Sequence, residues 1–459
     1  MDKGKNYLNR SGMLTLLVLG ILLLLYFLPR FNVGGRTLRR IDLLSDVRPK
    51  SPQVADTLVI DSFLPPPPKP AFVDTCRTGM ECIEDYQDST LRGMTPFYLA
   101  LEDLVQHPRP VRIAYFGDSF IEGDILTADL RSLLQQEYGG SGVGYIPVTS
   151  FVSGFRMSVR EKAGGWYSHA ITDSVYFNRQ LQDISNHYFI PRSGAYAEFS
   201  GSSHYAGAES WQQSSIFFVN HDSLSLDVSL GGSDPITHQF DSIGHLQVLS
   251  SHGRTSKVRW TVQKGDSAIF HGIALEDTVG ISLDNFSLRG SSGLSIRSIP
   301  MATLRQFAHY RPYDLIILQF GVNVATQRGS DYTGYVNGMR TVIEHLKSAF
   351  PTAGILIVGV ADRDYVNDEG EILTMPGIRN LVRFQQRLAS DECVAFWNLF
   401  QAMGGNESMK DLVNRQPSLA ALDYTHINGR GGRYLAGLFF DALQYGYQQF
   451  ERRRAYENE

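Results

Sequence analysis

Three short segments carry side chains that together could perform acyl transfer. Gly117-Asp118-Ser119 follows an apolar run, VRIAYFG, that itself ends in glycine. A serine at the carboxyl end of a parallel strand sits where open α/β sheets bind ligands. If a helix follows, its first N–H groups can hold an anion beside the hydroxyl. Gly321-Val322-Asn323 ends a second apolar run, DLIILQF, and the Asn323 amide could donate to a developing oxyanion in the same crevice. Asp423-Tyr424-Thr425-His426 precedes the last helix-like stretch. Three residues apart on one turn, the carboxylate can fix the imidazole tautomer and leave the other nitrogen to deprotonate a serine. Each segment alone has a plain structural reading: a helix cap, an Asn turn, a surface histidine. Together they supply a nucleophile, an oxyanion donor, and a base with its orienter. Asp118 reads as structural, bonding backbone around the serine turn.

The elements that must position these residues alternate. Val111–Gly117, Asp314–Gly321, Gly354–Val360 and Cys393–Leu399 are short apolar runs of the kind found in buried parallel strands. Leu126, Leu130, Leu133 and Leu134 follow the first at helical spacing. Val336, Met339, Ile343 and Leu346 mark an amphipathic helix between the second and third. Leu435, Leu438, Phe439 and Leu443 mark a last helix. Strands alternating with helices predict a doubly wound parallel sheet. From about 150 to 285 the rhythm changes to alternating runs such as SIFFVN, LSLDVSL and KVRWTVQ, which predict antiparallel strands. The reading is a β-sandwich-like domain inserted into an α/β domain. Trp166, Trp211 and Trp260 fall in this insert, where their faces could stack on sugars, although core packing suits each of them better.

The 459 residues are too many for one ordinary core. A net charge of −5 and no visible basic patch argue against a nucleic-acid partner. Arg452–Arg454 reads as a solvated tail. Three cysteines exclude a disulfide-rich scaffold, and no Cys/His spacing resembles a zinc site. Cys76 and Cys82 could bridge in an extracytoplasmic domain; Cys393 reads as a small buried hydrophobe. Met13–Pro29 is uncharged and apolar, about 26 Å long as a helix, near the minimum for a bilayer span. A cleaved signal peptide is the rival, but the run is long for one and no A-x-A-like site follows, which favours an uncleaved anchor. Basic residues on both sides, Lys3, Lys5 and Arg10 before and Arg30, Arg36, Arg39 and Arg40 after, leave orientation open. Pro65–Pro68 and Pro70 predict an extended spacer. The expected organisation is a tip and transmembrane anchor (1–30), a stalk (31–94), an α/β part (95–150), the β-rich insert (151–284), the second α/β part (285–450) and a charged tail (451–459).

The order G-D-S, a glycine-bearing turn, G-x-N, then D-x-x-H resembles the four blocks of the SGNH (GDSL) hydrolase superfamily. The resemblance covers about 95–150 and 285–450. It implies a flavodoxin-like three-layer α/β/α domain, Ser119 as nucleophile, His426 and Asp423 as its partners, and an oxyanion hole from the Ser119 N–H, Gly290 and Asn323. Gly290 comes from DNFSLRGSSG, where Gly293 lies close by. Val324 stands where the superfamily often carries Asp. GDSFIEGDILTADLRSLLQQEYGGSGVGYIP and FWNLFQAMGGNESM are similar to the periplasmic peptidoglycan O-acetylesterase branch, whose members carry a carbohydrate-binding-like β-domain between the serine and glycine blocks. That likeness implies an esterase acting on O-acetylated cell-envelope polysaccharide outside the cytoplasm, with no cofactor. Two alternatives stay open: an O-acetyltransferase using the same triad, with a membrane-bound acyltransferase as partner, and a non-catalytic glycan-binding protein.

Overall fold

The computed structural model describes residues 7–27, 32–33, 36–37, 72–173 and 176–458. The chain divides into two units, 1–70 and 71–459. In the first, a helix spans Tyr7–Phe27. The end of the expected anchor, at Leu28 and Pro29, and the proline-rich spacer lie outside the described residues. Among the described residues no helix is long and apolar enough to cross a membrane.

The second unit is built on a six-stranded sheet. Its strands in chain order are β1 (Glu84–Asp85), β2 (Pro110–Gly117), β3 (Gly280–Ser287), β4 (Leu315–Gln319), β5 (Gly354–Val358) and β6 (Ala395–Trp397). They lie in the order β3-β2-β4-β5-β6-β1. All neighbours are parallel except β1, which pairs antiparallel with β6. Counting only the parallel strands, the order is 2-1-3-4-5, the flavodoxin-like arrangement. β4 and β5 are buried at every position, as helix-covered parallel strands must be.

Helices α1 (Thr95–Asp103), α2 (Thr127–Tyr138) and α6 (Gly429–Asn458) pack together; α3 (Met301–Tyr310), α4 (Thr333–Ala349) and α5 (Pro376–Asp391) form a second group. The apolar faces read from sequence are the buried ones: Val336, Met339, Ile343 and Leu346 on α4, and Leu435, Phe439 and Leu443 on α6, with Leu438 partly buried beside them.

The insert is one nine-stranded antiparallel sheet with its own apolar core. Its longest strand, His187–Gly201, pairs with three others. Trp211 and Trp260 are fully buried there, and Trp166 is half-buried with its indole N–H bonded to the Tyr196 carbonyl.

Several boundaries differ from those read in the sequence. Residues 72–94 are not stalk: β1 extends the sheet edge, and Cys76 and Cys82 are bridged beside it. Gly142–Pro147 joins the insert sheet, and β3 belongs to the parallel sheet, so the insert spans about 142–276. Cys393 is half-buried in a positive-φ turn that precedes β6. The charged C-terminus is not a solvated tail. α6 continues through it, Arg453 and Arg454 pair with Asp74 and Glu102, and Phe72 lies against Tyr456 with ring centroids 5.7 Å apart.

Candidate active site

Four loops at the carboxyl ends of β2, β3 and β4 and before α6 meet at the place where the strand order reverses. Ser119 lies two residues beyond β2. Its turn is held by the buried Asp118, whose carboxylate accepts the Phe120 N–H at 3.0 Å. The helix expected directly after Ser119 starts only at Thr127, so α2 does not present its N-terminus to the hydroxyl. The intervening turn is fixed instead by Asp124. That fully buried carboxylate accepts Thr127 Oγ1 at 2.9 Å, Ser158 Oγ at 2.5 Å and both terminal nitrogens of Arg131 at 3.2 and 3.3 Å. Asn285 of β3 completes the clamp, donating to the Ile121 carbonyl at 2.8 Å and to Asp124 at 3.0 Å.

The D-x-x-H segment is a tight loop closed by a bridge between Ala420 and Ile427. Asp423 organises it. One carboxylate oxygen accepts the Thr425 and His426 N–H groups, both at 3.0 Å, and the other accepts His426 Nδ1–H at 2.7 Å. This Asx-type turn aims the ring without help from distant groups. His426 Nε2 then lies 2.9 Å from Ser119 Oγ. Residues 307 positions apart in the chain thus meet at hydrogen-bond distance.

Gly290 occupies the third position of a turn in which Ser291 N–H donates to the Leu288 carbonyl at 3.0 Å, with φ +74° at Gly290. Such a turn needs glycine there. Leu288 N–H is bonded to the Gly117 carbonyl at 3.0 Å, which ties this turn to the serine loop. The Gly293 N–H is taken by Ser291 Oγ at 3.0 Å. The Ser119 and Gly290 N–H groups have no acceptor among the described residues. Gly290 is therefore the glycine with a donor to spare. Asn323 is solvent-facing; its amide donates to the Ser291 carbonyl at 3.1 Å and also reaches the Asp118 carboxylate beside the serine. Gly321 lets its loop leave β4 at φ +142° in a space where a Cβ would come within 2.6 Å of Val360. Arg363 donates to the Val322 carbonyl at 2.9 Å, and Val324 packs against the core.

The electrostatics suit a histidine oriented by an ionised carboxylate. Burial alone would raise the Asp423 carboxyl, but the hydrogen bonds from His426 and Thr425 outweigh it and hold the group below its ordinary value. Asp118, by contrast, is pushed up to about 6 by burial, partly offset by the Phe120 and Gly321 N–H groups, the Asn323 amide and the nearby His426 ring. Asp124, Arg131 and Asn285 belong to none of the motif segments that mark the site in the sequence. The signal was present in GDSFIEGD and LDNF, as polar residues inside otherwise apolar stretches.

The parallel sheet in the 2-1-3-4-5 order thus carries Ser, His and Asp converging at its carboxyl edge. Among solved structures, a peptidoglycan O-acetylesterase shares this fold with a TM-score of 0.65 and 23% identity, over 80% of this chain and 99% of that one. Two family two carbohydrate esterases also align. One, from Clostridium thermocellum with cellohexaose, is 10% identical over 60% of this chain and 99% of its own, with a TM-score of 0.29. The other, from Cellvibrio japonicus, is 10% identical over 62% and 98%, with a TM-score of 0.25. Superpositions that loose have no bearing on function. No protein-family model and no curated relative matches the sequence.

Proposed function

We propose that this chain is a serine carbohydrate O-acetylesterase that removes acetyl groups from a cell-envelope polysaccharide, with peptidoglycan as first candidate. One observation carries the reading: Ser119 Oγ, His426 Nε2, His426 Nδ1 and Asp423 Oδ2 form an unbroken chain with contacts of 2.9 and 2.7 Å. His426 takes the hydroxyl proton as Ser119 Oγ attacks the acetyl carbonyl. The oxyanion is received by the Ser119 and Gly290 N–H groups and the Asn323 amide. As the intermediate collapses, the bond from the acyl carbon to the sugar oxygen breaks and His426 protonates the departing hydroxyl. A water, deprotonated by His426, then attacks the acyl-enzyme, and acetate leaves as Ser119 regains its proton.

The cell-envelope setting is supported by the Cys76–Cys82 bridge, which persists in oxidising compartments, and by the apolar run Met13–Pro29, which would anchor the chain with its folded part outside the cytoplasm. Deleting residues 1–30 should move the protein from the membrane to the soluble fraction.

The catalytic reading is tested with p-nitrophenyl acetate and with O-acetylated peptidoglycan, reading acetate release. Ser119→Ala should lose all but a residual rate from the oxyanion hole. Wild-type turnover by purified, folded Ser119→Ala protein would sink the assignment.

A further inference from the structure

The chain that leaves β5 reads ADRDYV and carries two carboxyls that the proposed mechanism does not use, Asp362 and Asp364. They are 0% and 4% exposed. Their segment touches both halves of the candidate site. Arg363, between them, donates to the carbonyl of Val322, the residue before Asn323. Asp364 N–H donates at 3.0 Å to the carbonyl of Tyr424, which lies between Asp423 and His426. Tyr424 has φ +52°, a conformation that a bulky residue keeps only where its surroundings hold it. The Asx turn of Asp423 aims the ring within its own loop; residues 362–364 tie that loop to the one that carries Asn323.

Asp364 opens a short hairpin, Asp364–Val366 with Ile372–Thr374, and lies opposite Thr374. The buried Thr374 hydroxyl accepts the Glu407 N–H at 2.6 Å and lies 3.0 Å from Asp362 Oδ1 and 3.2 Å from Asp364 Oδ1. The remaining oxygens are already served. Asp362 Oδ2 accepts Ser408 Oγ–H and Met409 N–H, both at 3.1 Å, and Asp364 Oδ2 accepts the Lys410 N–H at 2.7 Å. A hydroxyl brings one hydrogen, so Thr374 can donate to one carboxylate, and the second contact needs a hydrogen on a carboxyl. The two carboxyls are also within hydrogen-bond reach of each other, and burial, then the charge of Asp364, raises the Asp362 carboxyl above its ordinary value. Among the described residues no salt bridge relieves the pair: Lys410 Nζ donates to Glu407 and to the Ile372 carbonyl, and Arg363 is spent on Val322. Asp411, on the helix Ser408–Asn414, is exposed. Two buried carboxyls this close do not both ionise.

We propose that Asp362 and Asp364 share one proton and act as a positioning pair, seating residues 362–364 so that the Asn323 and His426 loops keep their mutual placement. The effect on turnover rests on the esterase reading; the shared proton does not. The pair is buried beneath the loops and acts through them rather than on the substrate. Its proton lets two carboxyls hold one hydroxyl without mutual repulsion. Close to the reacting atoms, a misplacement of about 1 Å costs about a hundredfold in rate.

Asp362→Asn mimics the protonated form: an amide hydrogen replaces the carboxyl hydrogen, and the amide oxygen still accepts Ser408 and Met409. Asp362→Ala removes both functions. On p-nitrophenyl acetate at pH 7, the alanine variant should lose about tenfold to a hundredfold in kcat with KM within about twofold, and the asparagine variant should keep kcat within about threefold of wild type. Equal losses in the two variants, or wild-type kcat in folded alanine variant, overturns the proposal. Should near-UV circular dichroism show that the alanine variant does not fold, Arg363→Met takes its place. It leaves both carboxyls and frees the Val322 carbonyl, and it should cost about tenfold in kcat at constant KM; unchanged kcat overturns the proposal. Infrared spectroscopy reads the proton directly. The difference between wild type and Asp362→Asn at pH 7 should contain the carbonyl stretch of a protonated carboxyl; a difference made of carboxylate bands alone overturns the proposal. The same comparison in a Ser119→Ala background is free of catalysis. Should Ser119→Ala protein retain esterase activity, the esterase reading fails, while the infrared band still decides the shared proton.

Discussion

Asn323 and Asp118 show how differently two polar side chains beside one serine can work. Asn323 is exposed at the mouth of the site, so Asn323→Ala should lower kcat by about 10²–10³-fold with little effect on stability, measured by steady-state kinetics and chemical denaturation. Asp118 is buried, and its folded value of about 6 lies above the ordinary carboxylate value of 3.8. The native state therefore binds the proton more tightly than the unfolded state. Stability from this group is greatest at low pH, declines as pH rises from about 4 to about 6, and is flat above. The contribution is on the order of 3 kcal/mol at most. Urea titrations of wild type and Asp118→Asn across pH 4–7 should show a stability difference that shifts in favour of the variant through that window and then levels off. A constant difference would contradict the burial argument.

At the scale of elements, the serine loop is held by a polar clamp rather than by a helix terminus. Arg131 on α2, Asp124 in the turn and Asn285 on β3 connect three elements in one buried network. Removing one partner of a buried ion pair leaves the other charge stranded, so Arg131→Met should cost about 3–5 kcal/mol, read as a shift of the denaturation midpoint. Without Arg131, burial raises the Asp124 carboxyl, so the deficit should shrink as acid neutralises the stranded charge. β3 illustrates why part of this element scale could not be read in advance. ISLDNFS alternates like the insert strands before it, yet it lies parallel to β2, with Asn285 buried in this network and Asp284 buried against Arg311, Tyr313 and the Tyr145 N–H. Alternation reports one wet face only when buried polar residues are rare.

For the molecule as a whole, the insert and the parallel sheet are joined through Arg311. It is 1% exposed and donates to Glu276 of the insert at 3.0 Å with two nitrogens, and to Asp284 of β3 at 2.8 and 2.9 Å. Arg112 of β2 adds a bond to Glu276 at 2.9 Å. Burial raises the Glu276 carboxyl, but the two arginines overwhelm that and hold it far below its ordinary value. The sign follows: this group stabilises the fold fully above its unfolded value near 4.5, and the contribution is lost progressively as pH falls below it. Glu276→Gln should destabilise the protein at pH 7 by about 3–5 kcal/mol, and the gap should narrow on acidification from pH 5 to pH 3. Thermal or urea unfolding across that range measures it.

The strand runs, the apolar faces of α4 and α6, and the Ser119, Asn323 and Asp423–His426 segments were legible from sequence because they rest on local chemistry. Period, turn residues and the self-contained Asx turn of Asp423 need no distant partner. What the tertiary structure alone decided was every choice that depends on who faces whom: β3 in the parallel sheet, Asp124, Arg131 and Asn285 as one clamp, and residues 72–94 and Arg453–Arg454 as packed parts of the body. Hydrogen-bond saturation and charge pairing between segments hundreds of residues apart are properties of proximity, and a linear pattern carries no measure of proximity.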